Sequence, residues 1–249
     1  MLAVAALGLY KRYGTKMAVN GLDLRVPEGS FYGMVGPNGA GKTTTIRMLV
    51  GLLRPDGGMA TVAGIPVWPE PRPVKQVIGV LPDDLRLFER LTGAELLTYI
   101  GLMREIPRAE VDRRRDELLG MLGLSGEAGV LVADYSTGMR KKVALAAALL
   151  HAPRVLFLDE PFESVDPVSA RTITDALDIF RSRGGTVVFS SHVMDTVERL
   201  CDHVAIVANG QVLRSGTVVE VSEGRRLEDV FIETVGVPVE STGNLDWLR

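Results

Sequence analysis

The sequence predicts an α/β fold built around a largely parallel sheet, and three observations carry that prediction. Short apolar runs of strand length alternate with helical patterns along the chain. A glycine-rich turn, Gly36–Thr43, joins one such run, Phe31–Val35, to a helical one. A second buried run, Val155–Leu158, ends in the carboxylate pair Asp159-Glu160.

Bulk composition sets the frame. A chain of 249 residues suits one large α/β domain, and 46% hydrophobic residues are enough to fill its core. The 28 basic and 31 acidic residues give a net charge of -3, which argues against a dedicated nucleic-acid binder; no nucleic-acid partner is expected. The single cysteine, Cys201, forbids an intrachain disulfide, fits a reducing cytosolic setting and reads as a small buried residue. The opening run MLAVAALGLY lacks a preceding basic stretch and is far below the roughly 20 residues that span a bilayer. It reads as a first strand, so any membrane role is expected to come through a partner.

The elements follow in order. Residues 1–35 read as short strands broken at Tyr13-Gly14, Asn20-Gly21 and Pro27-Glu28-Gly29. A helix is expected from Lys42 to about Leu53, stopped by Pro55, Asp56 and Gly57. Apolar residues then recur at helical spacing through Glu95-Leu96-Leu97 and Leu118–Leu122, predicting an all-helical subdomain, about 85–150, inserted into the α/β core. The triplet Arg113-Arg114-Arg115 reads as a solvated helix face. Beyond it come a helix core at Val143–Leu150, a strand at Val155–Leu158, a helix at Thr172–Phe180 and a strand at Thr186–Phe189. A helix at Val193–Leu200, a strand at His203–Val207, a pairing of Val212-Leu213 with Thr217-Val218 and a short helix at Leu227–Glu233 complete the chain. The main domain is expected to span 1–235, the extent of the family resemblance given below, with a tail at 236–249.

Gly36-Pro37-Asn38-Gly39-Ala40-Gly41-Lys42-Thr43 fits the phosphate-loop spacing of glycine, four residues, glycine, lysine and threonine. The glycines let backbone N–H groups converge on phosphates at a helix N-terminus that carries partial positive charge. Lys42 can reach the terminal phosphates, the Thr43 hydroxyl can hold Mg²⁺, and Thr44 belongs to the same cradle. In such proteins the carboxylate ending a buried strand, Asp159, supports Mg²⁺. The adjacent Glu160 can reach the water that attacks the γ-phosphate. Together these residues point to a nucleoside triphosphatase. A phosphate-loop kinase would need an acceptor pocket and has no use for Ser136-Thr137-Gly138 or Ser190-Ser191-His192.

Tyr135-Ser136-Thr137-Gly138-Met139 opens a helix rich in alanine and leucine between those two motifs. With it the chain resembles the ATP-binding cassette (ABC) family, whose signature is a Ser-x-Gly turn at a helix N-terminus. Thr137 and Met139 depart from the commonest form and resemble the branch serving export-type permeases of the ABC-2 kind. The resemblance covers roughly residues 1–235. It implies an α/β cassette with an N-terminal antiparallel β subdomain and an inserted helical subdomain. It further implies ATP and Mg²⁺ as ligands and a dimer of nucleotide-binding chains, head to tail, with two ATPs between them. Ser136, Thr137 and Gly138 would then meet the γ-phosphate held by the other chain.

The same resemblance gives roles to further residues. His192, after Ser190-Ser191, resembles the switch histidine that senses the γ-phosphate. Tyr13 resembles the aromatic that stacks on adenine, a core or hairpin tyrosine being the alternative. Ser164-Val165-Asp166 resembles the loop linking the two sites, though Asp166 equally reads as a helix N-cap. Asp83 stands where the family usually has glutamine or glutamate, which puts its contact with the metal in doubt. A separate integral membrane permease, docked by the helices at 85–130, would place the chain at the cytoplasmic face of a membrane. A non-transport ATPase of the same group, acting on nucleic acid or ribosomes, is the alternative.

Overall fold

The computed structural model describes residues 1–236, so the tail expected at 236–249 lies outside the described residues except for Gly236. The N-terminal strands β1 (Leu2–Tyr13) and β2 (Lys16–Pro27) form a long hairpin. With β4 (Gly57–Val62) and β5 (Ile65–Pro66) they make an antiparallel sheet in the order β2-β1-β4-β5. The expected break at Asn20-Gly21 is not a turn. Leu9 pairs with Leu22 and Tyr10 with Asn20, so Gly21, at φ 67°, is the extra residue of a bulge inside β2.

The second sheet has six strands in the order β10-β9-β3-β8-β7-β6. These are β3 (Phe31–Val35), β6 (Ile78–Leu81), β7 (Val155–Asp159), β8 (Thr186–Ser191), β9 (His203–Ala208) and β10 (Gln211–Thr217). Five of them run parallel, and β10 is antiparallel to β9. Both faces of this sheet are covered, which explains the unbroken apolar runs in β3 and β7. Leu156 and Leu158 point into one core cluster, Val155 and Phe157 into the other.

The expected pairing of Val212-Leu213 with Thr217-Val218 does not occur. All but Val218 lie in the single strand β10, and the turn is at Asn209-Gly210, where both residues have positive φ. The helix after the glycine-rich turn, α1 (Lys42–Leu49), stops short of Leu53. Its end is closed early by N–H bonds from Leu52 to the Arg47 carbonyl (2.9 Å) and from Gly51 to that of Met48 (3.3 Å).

Between β6 and β7, after α2 (Arg72–Val77), come three α-helices, two short 3-10 turns and no strand: the α-helices are α3 (Gly93–Met103), α4 (Arg108–Met121) and α5 (Thr137–Leu149). The Thr92-x-x-Glu95 pattern sets the start of α3 through a reciprocal capping box. Only part of the arginine triplet is a solvated face. Arg113 is exposed and paired with Glu110 and Glu117, whereas Arg114 donates to the Leu150 carbonyl and Arg115 to Thr98. α6 (Pro167–Ser182) begins five residues before the expected Thr172, because Asp166 caps it through the N–H groups of Val168 and Ser169. The chain closes with α7 (Met194–Leu200), α8 (Val218–Ser222) and α9 (Leu227–Val235). Cys201 is only partly buried, against the first core cluster.

Candidate functional site

The C-terminal ends of β3, β7 and β8 lie side by side, and their loops build one cleft of about 430 Å³. Parallel strands bring this about: Val35 pairs with Ser191 and Asp159 with Ser190. Tyr13, Lys16, Asn38–Thr44, Asp83, Glu160, Glu163 and His192 line it. Gly36 and Pro37 do not line the cleft; they shape the loop through their carbonyls.

Close approach explains the glycines. A Cβ on Gly36 would sit 2.1 Å from the Val207 carbonyl oxygen, so the loop can cross β9 only without a side chain. Gly41, at φ 105°, is the N-cap residue of α1, and no side chain caps that helix. No acidic residue lies in the first turn of α1 either, so its leading N–H groups are left for an anion.

Lys42 is buried, with 6% exposure, and its ammonium donates to the Gly36 carbonyl at 2.7 Å and the Pro37 carbonyl at 3.3 Å. Burial pulls its pKa below the ordinary lysine value, and the charges of Glu160, Asp159 and Glu163 oppose that shift. Glu160 Oε1 lies 3.7 Å from the ammonium. A phosphate arriving over the loop would give this ammonium stronger acceptors than the carbonyls it now holds.

Thr43 Oγ1 donates to Asp159 Oδ1 at 3.2 Å, and Ser190 Oγ donates to the same oxygen at 2.5 Å. Ser190 Oγ also accepts from the Glu160 N–H at 3.0 Å. Glu160 adopts a left-handed backbone at φ 47°, which costs a non-glycine residue about 1–2 kcal/mol. Its Oε2 lies 3.1 Å from His192 Nδ1. One carboxylate thus stands between a buried ammonium and an imidazole that is 39% exposed.

Thr43 and Asp159 fit a Mg²⁺ ion. They are hard oxygen donors 3.2 Å apart, and Mg²⁺ ordinarily takes one or two protein oxygens while waters and phosphates complete its shell. No group of three or more His, Cys, Asp or Glu side chains that could hold a metal occurs among the described residues. Asp83 lines the same cleft.

The turn at Ser136 does not line this cleft. Ser136 is the N-cap of α5, its Oγ accepting from the Met139 N–H at 3.2 Å, and Ser136 and Thr137 are exposed. Gly138 is buried against the start of α6. A Cβ there would come within 2.5 Å of Ser169 Oγ and 2.7 Å of Asp166 Oδ2. The Ser136 turn and the loop before α6 are therefore packed together, and neither Ser136, Thr137 nor Gly138 lines the cleft. Tyr13 ends β1 in the hairpin and is 49% exposed, so it is not a core residue.

Sequence reasoning missed three residues here. Ser190 bridges Asp159 and Glu160, and nothing in a serine pair after a strand signals that. Glu163 lines the cleft three residues beyond Glu160. Lys141 is 5% exposed and donates to the Glu160 carbonyl oxygen. Its signal was available: Gly138, Lys141, Leu145 and Ala148 share the buried face of α5, where a lysine is out of place.

The family description "ABC transporter" matches residues 19–163, more than half of the chain. The chain belongs to the ABC transporter family. The cassette is 41% identical over 219 residues to the daunorubicin/doxorubicin resistance ATP-binding protein DrrA of Streptomyces peucetius, covering 88% of this chain and 66% of that protein. It is 37% identical over 212 residues to the linearmycin resistance ATP-binding protein LnrL of Bacillus subtilis (strain 168), covering 85% of this chain and 68% of the other. The cassette thus spans about two thirds of the length of these two relatives. A solved structure of an ATP-binding subunit of an ABC transporter superposes with a TM-score of 0.86 at 28% identity, over 94% of this chain and 99% of that one. The cassette is an ATP-binding, ATP-hydrolysing subunit of this family. The reading as a soluble ATPase acting on nucleic acid or ribosomes gains nothing from these relatives.

Proposed function

We propose that this subunit energises export through a separate integral membrane permease, working as a pair of nucleotide-binding chains with ATP at their interface. The observation that carries the pairing is the separation of the two phosphate-seeking features. The Asn38–Thr44 stretch of the loop lines the cleft and the exposed Ser136 turn does not, which supports a site completed by another chain's turn. Export is supported by the two relatives, both named for antibiotic resistance. No helix among the described residues is long and apolar enough to cross a membrane, which suits a subunit held at the cytoplasmic face by its permease. The cassette domain is taken as 1–235, with the helical part at about 85–150 inserted and the tail at 236–249.

Each residue has a part. Tyr13 stacks on the base at the open end of the cleft. The N–H groups of Asn38–Thr44 and the Lys42 ammonium hold the β- and γ-phosphates, as expected of Gly36, Pro37, Asn38, Gly39, Ala40, Gly41, Lys42, Thr43 and Thr44. Thr43 and Asp159 would hold Mg²⁺, with Asp83 within reach of its water shell; the bound ion supplies charge neutralisation at the phosphate oxygens. Glu160 orients and polarises the attacking water, and His192, hydrogen-bonded to Glu160, faces the γ-phosphate whose charge develops. Ser136, Thr137 and Gly138 of the second chain close over that phosphate. Catalysis is positioning and electrostatics, without a covalent intermediate.

The test of transport is capture from native membranes. A tagged chain should bring down a polytopic membrane protein. Recovery with ribosomes or nucleic acid instead would overturn the transport reading.

A further inference from the structure

Lys141 is a buried ammonium that the nucleotide chemistry above leaves unexplained. It sits on α5 among Gly138, Val143, Ala144, Leu145 and Ala148, with 5% exposure. An ammonium in such a place is costly unless it is matched. A methionine would fill the same space without that cost. Lys141 forms no ion pair within 4.0 Å among the described residues, and its hydrogen bond is to the main-chain oxygen of Glu160.

That oxygen belongs to the one residue in the cleft whose carboxylate stands between Lys42 and His192. Glu160 is a non-glycine residue in left-handed backbone at φ 47°, a conformation that persists only when its surroundings hold it. The peptide N–H of Glu160 is held by Ser190 Oγ at 3.0 Å, and its carbonyl by Lys141. Both ends of the strained residue are thereby pinned. Burial pulls the Lys141 pKa below the ordinary lysine value, and the charges of Asp83, Glu163, Glu160 and Asp159 oppose that shift.

We propose that Lys141 is a positioning residue for ATP hydrolysis: by bonding the Glu160 main-chain oxygen it fixes the left-handed turn that aims the Glu160 carboxylate at water. The proposal rests on the reading of Glu160 as the group that polarises that water. It has a second consequence. Lys141 lies five residues after Ser136, about 7.5 Å along the same helix. In the proposed pair, the helix whose N-terminus would meet the neighbour's ATP therefore also holds the main chain of Glu160 in its own site.

Steady-state ATPase assays on the full chain with Mg²⁺ decide this, with Lys141→Met, Lys141→Arg and Glu160→Gln measured together. Lys141→Met is expected to lower kcat at least tenfold while KM and ATP affinity stay within about twofold of the parent. Lys141→Arg, which keeps a charged donor, is expected to recover kcat to within about fivefold. A kcat for Lys141→Met within twofold of the parent overturns the proposal. So does an equal loss in the Met and Arg variants, or a loss of ATP affinity that matches the loss of kcat, since either would mean mere packing. If Lys141→Met does not fold, Lys141→Gln is held to the same criteria. Glu160→Gln separates the layers: normal turnover there sinks the reading of Glu160 itself, whereas its loss beside an unaffected Lys141→Met sinks only the role of Lys141.

Discussion

In the proposed mechanism Glu160 and Lys42 divide the work of the cleft between turnover and grip. Glu160 touches Lys42 and His192 but none of the loop N–H groups that would meet phosphate. Glu160→Gln should therefore keep ATP affinity and cut turnover by about 100-fold or more, the range expected when a general base is removed. Steady-state phosphate release and calorimetry measure the two quantities side by side. Lys42 is the buried cation of the loop. Lys42→Ala should weaken ATP binding by roughly tenfold or more, since hydrogen bonds to charged groups are worth about 1.5–3 kcal/mol. Unchanged affinity by calorimetry would count against the loop as the phosphate cradle. At this scale the gathering of the loop, Glu160 and His192 in one cleft was legible in sequence, because the loop's spacing calls for a strand–turn–helix geometry. Lys141, Ser190 and Glu163 were not, since their places depend on which side chains the parallel sheet brings together.

At the scale of elements, the loop from β3 to α1 depends on its crossing of β9. Gly36→Ala would drive a methyl into the Val207 carbonyl, which is backbone and cannot swing aside. It should destabilise the protein by about 1–3 kcal/mol, the usual cost of overpacking, and urea unfolding measures it. A second effect belongs to the end of α5. His151 Nε2 is bonded to the Ile78 carbonyl at 2.8 Å, while its Nδ1 is buried without a partner. Burial, with Arg104 nearby, pulls its pKa from 6.5 down to about 4. Between those values the unfolded chain binds the proton and the native one does not, so stability falls as pH drops from 6.5 towards 4. The thermal midpoint of the parent should fall more steeply over that range than that of His151→Asn. Strands and helices were mostly read correctly, since apolar runs and caps are local signals. The errors at Asn20-Gly21, Leu53 and Val212–Val218 came from treating glycines as turn markers or misplacing stops. Gly21 serves a bulge, Gly51 closes α1 before Pro55, and Asn209-Gly210 makes the hairpin.

On the scale of the whole molecule, two positive-ended helices end in different surroundings. α1 opens into the cleft and α5 opens onto exposed surface at Ser136. The buried Gly138 fixes α5 against Asp166 and Ser169, so in the proposed pair the Ser136 turn and the loop before α6 would meet the neighbour together. The α/β class and the helical insertion could be read from alternation alone. That α5 packs on both the inserted helices and β6 of the sheet could not, because a helix's two neighbours leave one undivided apolar face.

The central claim is that ATP in the Gly36–Thr44 loop of one chain lies beneath the Ser136 turn of another. Cysteine cross-linking tests it most directly, using Asn38→Cys and Ser136→Cys in a chain that also carries Glu160→Gln and Cys201→Ser. Addition of ATP and Mg²⁺ should yield a covalent dimer joined between positions 38 and 136 of different chains, with little product when nucleotide is omitted. Saturating ATP that leaves the chains unlinked, or a link formed equally without it, would contradict the account.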